Sequence, residues 1–131
     1  MVKKRKETEE ITTSYEPVAI ETATYPDRLH TNLEEIKTYD GVVGYIIKNT
    51  ISATVDLKDP SSIVDYATLS STAFEATEEL SEIFAMGNFQ GIIVNGKNLR
   101  MLSLIVNENK ISVFMQNNAD AEKILRKIQM V

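Results

Sequence analysis

Few residues in this chain could carry chemistry. The only histidine is His30, the sequence contains no cysteine, and no serine stands in a strand-turn-helix nucleophile motif. The base and nucleophile that covalent catalysis needs are therefore not paired, and zinc sites of the Cys-rich type are excluded. The five glycines, Gly41, Gly44, Gly87, Gly91 and Gly96, compose no phosphate-binding loop. Gly41-Val42-Val43-Gly44 runs into an apolar strand instead of opening a helix, and no Lys-Ser/Thr follows it. Arg28, Arg100 and Arg126 could each act in trans on a nucleotidase, but nothing in their setting singles one out. Glu75, Glu78, Glu79 and Glu82 recur at helical spacing and could offer oxygen ligands to a hard cation. Convergence on one ion would need ligands from elsewhere in the fold, whereas a solvated acidic face needs nothing more. The four glutamates are read as an acidic surface for a basic partner, and no catalytic residue, metal or cofactor is assigned.

The elements that position these residues follow from the periodicity. After Pro26 and Asp27, Leu29, Leu33 and Ile36 recur at helical spacing until Asp40-Gly41, which predicts a first amphipathic helix. Val42 to Ile47 is almost continuously apolar, whereas Ile51, Ala53 and Val55 alternate with polar residues, with Asn49-Thr50 between the two runs. This predicts a hairpin whose first strand is central and whose second lies near an edge. Asp59 as a cap and Pro60 in the first turn open a long helix to Met86, closed by Gly87. Three strands follow, Phe89 to Val94, Leu99 to Val106 and Ile111 to Met115, joined at Asn95-Gly96 and at Asn107-Glu108-Asn109. A last helix carries the apolar stripe Ala121, Ile124, Leu125 and Ile128, with Lys123, Arg126 and Lys127 suiting its C-terminal end.

Along the long helix, Ile63, Tyr66, Leu69, Phe74, Leu80, Ile83 and Phe84 spread wider than one stripe and are interleaved with Ala67, Ser70, Ser71, Ala73 and Ala76. A helix that lies on a sheet and also meets a second helix has this pattern, because small residues let backbones approach. Self-association through this helix is expected. The competing reading is that these residues complete the chain's own core.

Composition bounds the class. The chain has 131 residues with 14 Lys+Arg against 19 Asp+Glu, a net charge of −5. That suits one globular domain and argues against a nucleic-acid surface. Residues 1–24 are charged or Thr- and Glu-rich, with only the Val18–Ile20 island, and are read as a flexible tail ahead of a domain over residues 25–131. In the tail, Glu7, Glu9 and Glu10 nearly cancel Lys3, Lys4, Arg5 and Lys6. Neither a signal peptide nor a membrane-spanning apolar run is present, and the expected location is the cytoplasm.

The first helix leading into Ile36-Lys37-Thr38-Tyr39-Asp40-Gly41-Val42-Val43-Gly44, the long small-residue helix, the three-strand meander and the closing helix over Asn118 to Ile128 together resemble the Roadblock/dynein light-chain family. The similarity covers about residues 25–131, and it departs from many relatives at Asn49-Thr50, where an Asp-Gly type of turn is common. The resemblance implies an α+β, profilin-like fold in the order α-β-β-α-β-β-β-α. Its sheet would be five-stranded and antiparallel, with the first and last helices on one face and the long helix on the other. It also implies a homodimer, with Ala67, Ser70, Ala73, Phe74 and Thr77 of the long helix and Phe89, Gly91 and Ile93 of the following strand at the interface. The function it implies is a non-catalytic adaptor or regulator of a Ras-like small GTPase, bound through the exposed side of the long helix. The alternative is a small-molecule-sensing domain of profilin-like or PAS-like architecture, with an apolar cavity near Tyr45, Phe114 and the terminal helices.

Overall fold

The computed structural model describes residues 28–87 and 91–130. The expected tail over residues 1–24 and the interface residue Phe89 lie outside the described residues. By its contacts the chain divides into residues 1–31 and 32–131, and the second unit holds the architecture below apart from residues 28–31 at the start of the first helix.

The elements are α1 (Arg28–Ile36), β1 (Val42–Lys48), β2 (Ala53–Leu57), a 3₁₀ turn (Pro60–Ser62), α2 (Ile63–Ile83), β3 (Ile92–Asn95), β4 (Arg100–Val106), β5 (Asn109–Met115) and α3 (Ala121–Ile128). The strands form one antiparallel five-stranded sheet in the order β2-β1-β5-β4-β3. The continuously apolar β1 is interior, as burial on both faces requires, and β2 is an edge, with Ala53, Thr54 and Val55 exposed on both of its faces. Two glycines set the entry to β1. Gly41 takes φ +84°, and a Cβ there would lie 2.6 Å from Asn118 Oδ1. Gly44 has φ +155° beside a register shift in the β1–β5 ladder, and its Cβ would come 2.3 Å from the Asp56 carbonyl oxygen.

Several boundaries differ from the sequence expectation, each for a local reason. The β1–β2 turn runs over Asn49–Ser52, because Asn49 Oδ1 accepts from the Ile51 and Ser52 amides and Lys48 pairs with Ala53. Asn95 pairs with Arg100, so the β3–β4 loop is Gly96–Leu99, closed by Gly96 N donating to Leu99 O at 2.8 Å, and Asn95-Gly96 is not its centre. The β4–β5 turn is the tight one: Asn107 and Glu108 both take positive φ between the paired Val106 and Asn109. The α-helical part of α2 ends at Ile83 rather than Met86, and the left-handed residue that stops it is Ala85 (φ 53°). Met86 N donates to Ser81 O and Ala85 N to Glu82 O, the paired bonds of a Schellman stop. At the other end Asp59 caps as expected, accepting from Ser61 N and Ser61 Oγ.

Helices cover both sheet faces. On one, Tyr66 stacks on Phe114 with ring centroids 4.5 Å apart, and Ile46, Ala73 and Met101 pack beside them under α2. On the other, Tyr45 donates to Glu34 of α1 at 2.6 Å, and Asn32 Nδ2 donates to the Lys127 carbonyl, tying α1 to α3. Leu33, Ile36, Ile124 and Ile128 are fully buried. Asp120 caps α3 by accepting from Lys123 N.

Candidate interaction surface

The helix α2 has a sheet side and a solvent side, and they sort the residues that the sequence nominated. Ser70, Ala73, Phe74 and Thr77 are buried against the chain's own sheet. Ser70 Oγ lies 2.6 Å from Ser112 Oγ on β5, which lies 2.7 Å from Ser103 Oγ on β4, so three buried hydroxyls bond one another. Ala73 joins the Ile46–Met101–Phe114 cluster, and Thr77 Oγ1 donates back to the Ala73 carbonyl. These four residues, expected at a dimer contact, are covered within one chain. Small side chains draw a helix close to a sheet as readily as to a second helix. Of the remaining expected interface residues, Ala67 is half-buried, Gly91 is exposed and Ile93 is 44% exposed.

The solvent side carries two kinds of residue. Glu75, Glu78, Glu79 and Glu82 are all exposed; Glu78 meets Lys110 at 3.6 Å, and the other three have no cationic partner among the described residues. At about 100° per residue, Leu69, Ala76 and Leu80 form a flank between this acidic strip and the sheet. Leu80 is 50% exposed, and Ile83, Phe84 and Met86 are about two-thirds exposed. Large apolar side chains left open at one place are the signature of a contact surface. The strand β3 ends the sheet, so the outer row of its backbone groups has no strand partner among the described residues.

Among the described residues the other expected sites do not assemble. Tyr45 and Phe114 point to opposite faces of the sheet, one bonded to α1 and the other stacked under α2, so the cavity expected between them does not form. A shallow depression of about 290 Å³ lies instead beside Gly41–Val43, Lys58, Asp59 and Gln116. Among the described residues no three His, Asp or Glu side chains are placed to hold a metal ion. Arg100 is held by structural bonds, Nε to Asn95 Oδ1 and Nη1 to the Ala119 carbonyl, and Arg126 pairs with Glu122. No described helix is long and apolar enough to cross a membrane.

Solved structures of other proteins share this arrangement. A Roadblock/LC7 domain from Streptomyces avermitilis superposes with a TM-score of 0.62 at 15% identity, over 80% of this chain and 89% of that one. The chain has the Roadblock fold. Myxococcus xanthus MglB shares the fold at TM-score 0.61 and 12% identity, over 79% of this chain and 87% of that one. The gliding protein MglB of Thermus thermophilus shares it at 0.58 and 15%, over 79% and 90%. No family model and no curated protein matches the sequence. The Roadblock fold is thus retained here at low sequence identity, carried by the order of elements and by burial.

Sequence reasoning missed the serine network and the open apolar end of α2. Ser103 and Ser112 interrupt otherwise apolar strands at positions that pair across β4 and β5. That is a visible signal once the register is known.

Proposed function

We propose that this chain is a non-catalytic, cytoplasmic homodimeric adaptor or regulator of a Ras-like small GTPase. The observation that carries the reading is a pair of open features in a Roadblock fold: an apolar edge strand, β3, whose outer backbone row has no strand partner among the described residues, and an incompletely covered α2. Two copies would join through the edges of β3 around Gly91 and Ile93 and through the flank Leu69, Ala76 and Leu80. Edge pairing satisfies the open backbone groups, and the flank has the small and apolar mixture that adjacent helices use. A solved MglB structure is described as a tetrameric arrangement, which supports self-association as a property of this fold. The acidic side of α2, with Glu75, Glu78, Glu79 and Glu82, then faces the second partner. The GTPase enters through the family resemblance, because fold alone does not fix a partner.

The test is direct. Small GTPases encoded in the same genome are purified in their GDP and GTP-analogue states and titrated against the full chain, with hydrolysis followed in parallel. Binding to one nucleotide state, with or without a change in hydrolysis, is the expected result. Failure of every such GTPase to bind in either state would remove the regulatory half of the reading.

A further inference from the structure

We propose that Ile83, Phe84 and Met86, rimmed by Glu75, Glu79 and Glu82, form a docking surface for a basic amphipathic segment of the partner protein. The inference rests on the reading above that α2 meets a partner, and it adds the chemistry of that partner.

The charge pattern runs against the helix's own stability. Between Ile63 and Ile83 there are five acidic residues, Asp65 and the four glutamates, and no basic one. Four of the five lie in its C-terminal half, where the macrodipole is negative and cations are favoured. Glu75 and Glu79, and Glu78 and Glu82, are like-charged pairs one turn apart. The short helix α3 obeys the ordinary rule, with Glu122 in its first turn and Arg126 and Lys127 in its last. Among the described residues only Glu78 of the α2 set is offset, by Lys110. The helix therefore accumulates unneutralised negative charge beside three large apolar side chains, each about two-thirds exposed.

A ligand that relieves both features must bring positive charge and apolar surface together. A second copy's α2 does not fit over this acidic end, since it would set the same carboxylates against these; the flank of Leu69, Ala76 and Leu80 lies off the acidic strip. An amphipathic segment with Lys or Arg flanking apolar residues fits, with its apolar face on Ile83, Phe84 and Met86 and its cations over the carboxylate rim.

The experiment titrates the full chain with a synthetic peptide of Lys and Leu at helical spacing, against an all-Lys peptide and a Glu/Leu peptide of the same length. Amide shifts are mapped by NMR, and dimer mass is followed by light scattering. The Lys/Leu peptide is expected to bind about tenfold more tightly than either control, with shifts centred on residues 75–86. The double variant I83S/F84S should weaken binding about tenfold and leave the dimer mass unchanged. The triple variant E75Q/E79Q/E82Q should weaken binding, flatten its salt dependence and raise the thermal midpoint of the free protein. Equal binding of the all-Lys peptide, shifts spread away from α2, no effect of the triple variant, or loss of the dimer in I83S/F84S would each overturn the proposal. A monomeric wild-type chain that still binds the Lys/Leu peptide at α2 would overturn only the dimer reading.

Discussion

Replacing Ser112 by alanine should cost far more than the loss of one oxygen atom suggests. Its hydroxyl is the middle of a buried chain, 2.6 Å from Ser70 Oγ and 2.7 Å from Ser103 Oγ, with Ser70, Ser103 and Ser112 all under 10% exposed. In Ser112→Ala both outer hydroxyls lose a partner in a place that water does not reach. Each unsatisfied buried hydroxyl costs about 1–3 kcal/mol, so the expected loss is roughly 2–4 kcal/mol. Ser70→Ala removes one end and leaves Ser112 bonded to Ser103, so about 1 kcal/mol is expected. The combined replacement of all three by alanine should cost less than the sum of the single changes, because no orphaned group remains. Urea unfolding at one fixed protein concentration, read by circular dichroism, measures these values. If Ser112→Ala stays within about 0.5 kcal/mol of the parent, or the triple variant equals the sum of the singles, the hydroxyls are not a coupled network.

Three further outcomes follow from the backbone and caps. Ala85 stops α2 in the left-handed region, so Ala85→Gly should stabilise by about 1 kcal/mol, seen as a higher urea midpoint with an unchanged slope. In Gly44→Ala the new methyl would meet the Asp56 carbonyl at 2.3 Å, and the β1–β2 pairing should weaken by about 3 kcal/mol, with faster amide exchange in β2. The Asp59 carboxyl is held below its ordinary range by hydrogen bonds from the Ser61 side chain and then the Ser61 amide. The stabilisation by this cap is full above the unfolded-state value of about 3.9 and is lost as pH falls through the lower folded value. Asp59→Asn, which still caps but does not titrate in this range, should flatten that part of the stability–pH curve.

The fold was legible where burial alone decides it. Val42 to Ile47 had to be covered on both faces, and β1 is interior; the alternating Ile51, Ala53 and Val55 run had to lie near an edge, and β2 is an edge, but Ile51 falls in the turn at 89% exposure and Val55 is exposed too. Turn registers were less legible, because side-chain bonds move them: Asn49 captures two amides and lengthens one turn, and the pairing of Asn95 with Arg100 displaces another. The candidate surface was half legible. The acidic face of α2 lies in solvent, where its spacing put it. Ser70, Ala73 and Thr77 were ambiguous, since a helix-on-sheet contact and a helix–helix contact both select small residues and only the sheet's position distinguishes them. The apolar exposure of Ile83, Phe84 and Met86 depends on α2 ending at Ala85, and alanine carries no sequence signal for a left-handed stop.

Self-association through the edge of β3 is the central claim, and light scattering on the full chain tests it most directly. The parent protein is expected to have twice the mass of one chain at tens of micromolar, and Ile93→Lys, which places a charge on the open edge strand, is expected to be a folded monomer. A parent protein that remains a monomer, or an Ile93→Lys variant that dimerises as strongly as the parent, would contradict it.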